Sequence, residues 1–147
     1  LGAQFGPRPA TVASSAEVVK QIISRQGIEL GQTVVDNGSG LSRDARLSAD
    51  VMSDILQHAW RSPTMPEFVS SMAILGIDGT LRRRLSNNDA RGYANMKTGA
   101  LKNARAIAGY VLAKSGKRYV FVSLVNHPQA YKARNFENAV MDWLNER

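Results

Sequence analysis

The 147-residue chain is 44% hydrophobic, enough for one ordinary domain with a core, and it has no cysteine, which excludes a disulfide framework and any cysteine-based metal site. Its 19 Lys+Arg against 12 Asp+Glu give a formal net charge of +7, which favours anionic partners without choosing among nucleic acid, an acidic surface and a carboxylate-bearing substrate. No apolar run reaches the roughly 18 to 20 residues that span a bilayer, no signal peptide is visible, and the start at Leu1-Gly2-Ala3 without an initiator methionine is that expected of a processed product or fragment.

In chain order, Leu1 to Ala10 is punctuated by Gly and Pro and is expected to be extended. Ser14 with Glu17 three residues on reads as a capping box, Val18, Val19, Ile22 and Ile23 recur at helical spacing, and Gly27 stands where that helix should stop. Ile28 to Val35 reads as extended, with Thr33-Val34-Val35 a short buried strand, followed by a turn-rich loop, Asp36-Asn37-Gly38-Ser39-Gly40. A second helix is expected from Ser48 to about Ala59, with Val51, Met52, Ile55, Leu56 and Ala59 inward, and a shorter one after Pro66. Arg82-Arg83-Arg84 is the densest basic run and reads as a solvated edge or turn, since neither an aromatic ladder nor a nucleic-acid motif accompanies it.

From Tyr93 onward the pattern turns to strands: one around Lys97, one over Ala106 to Ala113, one over Arg118 to Val125, with Ser115-Gly116 as a tight hairpin. A last helix follows, with Phe136, Val140, Trp143 and Leu144 on one face and Glu137, Asp142 and Glu146 free to face water. Helices, an antiparallel meander and a closing helix describe an α+β layer structure, taken as a single domain over residues 1–147. His58 and His127 have no ligand spacing around them, so no metal is expected. Gly109 to Ser115 ends in Lys-Ser, but Ala113 stands where a phosphate-binding loop needs glycine.

The candidate chemistry lies in Lys97-Thr98-Gly99-Ala100. A strand carrying this run sets an ammonium beside a hydroxyl, and glycine lets a ligand approach the main chain. A substrate carboxylate fits that group, and the Ala100 N–H can then point at a carbonyl oxygen that becomes negative during acyl transfer.

Lys-Thr-Gly is also the third signature of penicillin-binding proteins and serine β-lactamases, after Ser-x-x-Lys and Ser-x-Asn, and it stands here on a strand followed by a hairpin and a C-terminal helix, as in those proteins. The stretch "VVDNGSGLSRDARLSADVMSDIL" resembles the Asp-Gly-Ser-Gly-Leu-Ser-Arg segment and helix of the D-alanyl-D-alanine carboxypeptidase/endopeptidase group of the penicillin-binding protein 4, or S13 peptidase, type, with one residue inserted at Asp36-Asn37-Gly38. "SMAILGIDGTLRRRL", Ser71 to Leu85, is similar to that group's segment before its Lys-Thr-Gly strand. The resemblance implies a penicillin-binding, transpeptidase-like α+β fold with an antiparallel sheet packed with helices. It implies a periplasmic or otherwise extracytoplasmic hydrolase acting on peptidoglycan stem peptides ending in D-Ala-D-Ala and acylated by β-lactams, with no nucleic-acid partner and no cofactor. Under it Lys97, Thr98, Gly99 and Ala100 bind substrate, and Asp36, Ser39, Ser42 and Arg43 form a loop that supports the site or simply satisfies its own backbone.

The nucleophile is missing, because no lysine has a serine three positions before it. Ser86-Asn87-Asn88 matches the second signature in letters and Tyr93-Ala94-Asn95 resembles the variant of it used by some β-lactamases, but both lie immediately before the Lys97 strand rather than well upstream of it. The resemblance therefore implies the C-terminal portion of a larger peptidase domain, whose missing N-terminal portion is a partner of this one and without which it is inactive. Two other classes stay open at this point: a non-catalytic scaffold or binding module of the same fold, and a basic nucleic-acid-binding domain.

Overall fold

The apolar runs between Ala94 and Asn126 fold as an antiparallel meander in the computed structural model, which describes residues 1–147. The chain divides into two compact units, Leu1–His58 and Ala59–Arg147.

The first unit begins with a short helix α1 (Gly2–Phe5), where an extended segment is expected. Buried Gly2 lies so close to Ser15 that any side chain there would overlap it, so α1 rests directly on the next helix. That helix, α2 (Val12–Ser24), starts earlier than its apolar spacing suggests. The capping box is Thr11 with Ser14: the Ser14 N–H donates to Thr11 Oγ1 at 3.1 Å and the Thr11 N–H donates to Ser14 Oγ at 2.9 Å. Glu17, released from capping, pairs with Lys20 at 3.0 Å. Gly27 lies just past the helix end, as expected. Thr33-Val34-Val35 is not a buried strand: Val34 forms a single bridge with Arg46 and is 43% exposed. One bridge has no neighbouring ladder to bury it, so Val34 stays at the surface and Thr33 and Val35 are only half-buried. Helix α3 (Ala49–Arg61) starts at Ser48, whose Oγ accepts the Val51 N–H at 3.1 Å, and Val51 and Leu56 are buried.

The second unit opens with the last turn of α3 and a short helix α4 (Met65–Ser70) with Pro66 in its first turn. The sheet has four antiparallel strands in the order β1-β2-β3-β4: β1 (Ala73–Ile74), β2 (Ala94–Leu101), β3 (Ala104–Leu112) and β4 (Arg118–Asn126). Side chains alternate across it, so Ala94 and Met96 share a face with Ile107, Val111 and Phe121. That face carries the core, closed by Leu75, Leu81, Ala90 and, from helix α5 (Ala133–Asn145), Met141 and Leu144. Each fully buried leucine, isoleucine, valine or methionine among them contributes about 1.5–3 kcal/mol. Gly109 lies opposite Met96, and a Cβ there would collide with the Asn95 carbonyl and come within 2.9 Å of Met96 Cα, so only glycine lets the two strands pair around the buried methionine. On the other face Trp60 packs on Tyr110 with ring centroids 5.1 Å apart, and the Arg118 guanidinium lies 4.6 Å from the Trp60 ring. No helix is long and apolar enough to cross a membrane.

Two expectations fail on α5 and its neighbours for one reason. Glu137 is fully buried, whereas Phe136 and Trp143 are 64% and 53% exposed, so the inward face is rotated by one residue from the expected one. Arg84, assigned to a solvated run, is only 2% exposed. Both side chains belong to one ion cluster. Arg105 Nε donates to the two Glu137 carboxylate oxygens at 3.1 and 3.0 Å, Arg84 Nη2 lies 3.1 Å from Glu137 Oε2, and Arg84 Nε donates to Asn138 Oδ1 at 2.8 Å. Burial lowers the Arg84 pKa, and the Glu137 carboxylate opposes that shift.

Candidate functional site

The register of the sheet decides which edge of the Lys97 strand is open. Residues of an antiparallel strand direct both main-chain groups alternately to the two neighbours. The Leu75 N–H donates to the Ala94 carbonyl at 2.9 Å, so Ala94, and by alternation Met96, Thr98 and Ala100, face the β1 side. But β1 pairs only with Asn95 and Met96. From residue 97 onward no strand of the chain covers that edge, and the main-chain groups of Thr98 and Ala100 point outward from it.

All four candidate residues lie on this margin. Lys97 is exposed, and its ammonium donates to the Thr98 carbonyl at 2.9 Å, curling along the open edge. Thr98 is half-buried, and its hydroxyl donates to Thr80 Oγ1 at 2.8 Å. Gly99 is exposed, and a Cβ there would meet only Ala106 Cβ at 3.6 Å, an ordinary contact. Packing inside the chain therefore does not require glycine at 99; what its absent side chain leaves is open space over that face of the strand. Ala100 is exposed, with its N–H on the free edge. An ammonium, a hydroxyl and an outward N–H thus lie along one margin, and groups of these kinds can hydrogen-bond a carboxylate or a polarised carbonyl.

Nothing in the sequence singles out Thr80. It sits in a short 3₁₀ turn, Gly79–Leu81, inside the quoted "SMAILGIDGTLRRRL" stretch, but no residue spacing ties it to a strand that begins 14 positions later. Only the fold of the β1–β2 connection brings it to Thr98.

The loop residues belong to the first unit. Ser39 Oγ accepts the Leu41 N–H at 3.1 Å, and Ser42 Oγ accepts the N–H groups of Asp44 and Ala45 at 3.0 and 3.1 Å. Both serines thus hold local backbone, the arrangement that keeps a Gly-rich loop in one conformation. Arg43 is exposed, and its carbonyl accepts from Arg46 Nη1 at 2.7 Å. Asp36, Ser42, Ile23, Leu30, Val35 and Ile55 line a cavity of about 440 Å³ beneath the loop. His58 and His127 are exposed, and His127 Nδ1 accepts the Gln129 N–H at 3.0 Å.

The model of the D-Ala-D-Ala carboxypeptidase 3 (S13) family matches residues 1–147. The chain belongs to the S13 family. Among S13 relatives, the D-alanyl-D-alanine carboxypeptidase DacB of Haemophilus influenzae is 30% identical over 121 residues, covering 81% of this chain and 25% of that protein. A D-alanyl-D-alanine carboxypeptidase of Actinomadura sp. is 31% identical over 114 residues, covering 74% of this chain and 21% of its own length. The chain thus spans about a quarter of the length of the curated relatives it matches. The crystal structure of penicillin binding protein 4 (dacB) from Haemophilus influenzae, complexed with a β-lactam, matches with a TM-score of 0.80 at 27% identity, covering 92% of this chain and 35% of that one. The fold is accordingly the α+β, transpeptidase-like fold of the penicillin-binding S13 peptidases, as the sequence resemblance implies.

Proposed function

We propose that these 147 residues are the C-terminal portion of one penicillin-binding-type peptidase domain, and that they supply the substrate-binding margin of a serine D-alanyl-D-alanine carboxypeptidase/endopeptidase whose nucleophile lies outside them. The observation that carries this reading is the uncovered β2 edge, where Lys97, Thr98, Gly99 and Ala100 present an ammonium, a hydroxyl, open space and an N–H in sequence.

In this reading the terminal carboxylate of a peptidoglycan stem peptide lies against Lys97 and Thr98, Gly99 leaves room for the peptide, and the Ala100 N–H polarises the scissile carbonyl. A serine of a Ser-x-x-Lys motif attacks the carbonyl of the penultimate D-alanine, the amide bond breaks, and the terminal D-alanine leaves with the proton passed to its nitrogen. Water then hydrolyses the acyl-enzyme, while a β-lactam stops at that stage because its opened ring stays tethered. Lys97 also stabilises the lysine–serine network electrostatically. The enzyme works outside the cytoplasm, in the periplasm where that compartment exists.

The test is labelling with a fluorescent penicillin, run on these 147 residues and on a longer polypeptide carrying the upstream sequence. The expected result is no covalent label on the short chain and label on the long one that Lys97→Ala reduces at least tenfold. Label on the short chain would mean that a nucleophile has been overlooked. An unlabelled, folded long chain would favour the non-catalytic scaffold, which the missing Ser-x-x-Lys also fits.

A further inference from the structure

Thr80 is exposed, yet its hydroxyl is within 2.8 Å of the Thr98 hydroxyl. An exposed hydroxyl can satisfy itself with water, so the pairing is not forced by burial. It is enforced by the turn that carries it. Next to Thr80, Leu81 is fully buried in the core, and its carbonyl accepts the Gly76 N–H at 3.1 Å. Before it, the Asp78 carboxylate accepts the Ile74 N–H at 2.6 Å, which ties the turn to β1. Gly79 has φ +49, and a Cβ there would come within 2.9 Å of Ala73 Cβ, so the turn can press against β1 only with glycine at this place. The segment Asp78-Gly79-Thr80-Leu81 is thus fixed on both sides, and its exposed Thr80 side chain is aimed at the open strand margin.

We infer that Thr80 is a positioning residue for carboxylate recognition: it holds the Thr98 hydroxyl and, when an anion arrives, donates its own proton to Thr98 Oγ1. The inference rests on the reading of the β2 margin as a carboxylate site. A hydroxyl has one proton and two lone pairs, and a carboxylate only accepts. Without a guest, Thr98 donates to Thr80. With one, Thr98 turns its single proton to the carboxylate, and Thr80 turns its proton into the lone pair that becomes free. The result is a chain, Thr80 O–H to Thr98 O–H to carboxylate, in which each bond polarises the next. No covalent bond is made or broken, and both protons stay on their own oxygens.

The experiment uses the long polypeptide that carries the nucleophile, and compares wild type with Thr80→Val and Thr80→Ser. Acylation is followed with benzylpenicillin, which bears a carboxylate, and with its methyl ester, which does not. Thr80→Val is expected to lower the second-order acylation rate with benzylpenicillin about three- to tenfold, the size of one net hydrogen bond, through weaker binding rather than a slower chemical step. Thr80→Ser, which keeps the hydroxyl, restores the rate to within about twofold, and the ester reacts equally with all three proteins. Equal benzylpenicillin rates for wild type and Thr80→Val overturn the inference. So does an equal loss on both probes, which would mark a general disturbance of the strand, as would a failure of serine to rescue a variant whose melting temperature is unchanged. A wild-type protein that neither probe acylates removes the underlying reading, and the inference with it.

Discussion

Gly99 is the residue at which folding and the proposed binding can be tested separately. Glycine in a strand interior weakens the strand, and the space behind this one accepts a methyl group at an ordinary 3.6 Å from Ala106 Cβ. Gly99→Ala is therefore expected to leave stability unchanged or raise it by up to about 1 kcal/mol. In the long polypeptide the same methyl group enters the room assigned to the ligand, so penicillin acylation is expected to fall at least tenfold. Urea unfolding of the short chain and acylation kinetics of the long one check the two halves, and a loss of stability would mean that the glycine serves the fold. The candidate run 97–100 is legible because its residues adjoin in sequence, and alternation along a strand then fixes which main-chain groups reach the edge. Thr80 is not, because a hydroxyl-to-hydroxyl contact across a folded connection leaves no periodicity.

Among the elements, α5 shows how a charge misleads a hydrophobic pattern. Its apolar residues Phe136, Val140, Trp143 and Leu144 form a helical stripe, but the stripe with Glu137, Met141, Leu144 and Asn145 is the buried one. Hydrophobic periodicity assigns carboxylates to water, and it cannot know that Arg84 and Arg105 converge from a distant turn and from β3 to receive this one. Trp143 stays outside with the Arg147 guanidinium 4.2 Å from its ring. Removing Glu137 strands two cations, one of them 3% exposed at its side chain. Glu137→Ala is expected to cost about 3–5 kcal/mol, the usual result of breaking a buried pair from one side. Glu137→Gln, which keeps a hydrogen-bond acceptor, should cost less; calorimetric melting of both variants checks the order. The strands β3 and β4 were legible because their runs are long and hold β-branched and aromatic residues, β2 only as a strand around Lys97, and β1, two residues long, was not. The run Thr33–Val35 has the right residues but only one bridge to lean on.

At the scale of the whole molecule, part of the basic excess is paired. Lys114 binds both Asp89 and Glu146, at 3.0 and 2.6 Å, and joins the connection before β2 to the end of α5. These hydrogen bonds, first Glu146 and then Asp89, raise its pKa from the ordinary 10.5 to about 12. A base whose folded pKa is raised stabilises the fold fully below its unfolded value and loses that contribution as pH rises through the folded one. The contribution of Lys114 is thus complete below about pH 10.5 and fades toward pH 12, and Glu146→Gln should bring the Lys114 titration, followed by NMR, back toward 10.5. The other feature on this scale is the outer edge of β4, Arg118–Asn126, nine residues with one neighbour, β3. The pairing of Val111 with Tyr119 and Ile107 with Ser123, in a register where Ala113 bonds Lys117, sends the N–H groups of Val120, Val122 and Leu124 outward. Such a long apolar edge, charged only at Arg118, templates pairing with another chain. Concentration-dependent association of the 147-residue chain is therefore expected in sedimentation velocity, and Val122→Pro, which removes an outward N–H without touching the β3 ladder, should suppress it. A chain that stays monomeric at high concentration would show that this edge is already protected. A Val122→Pro variant that folds and still associates would move the contact to another surface, where the exposed Phe136 and Trp143 of α5 are the next to be changed.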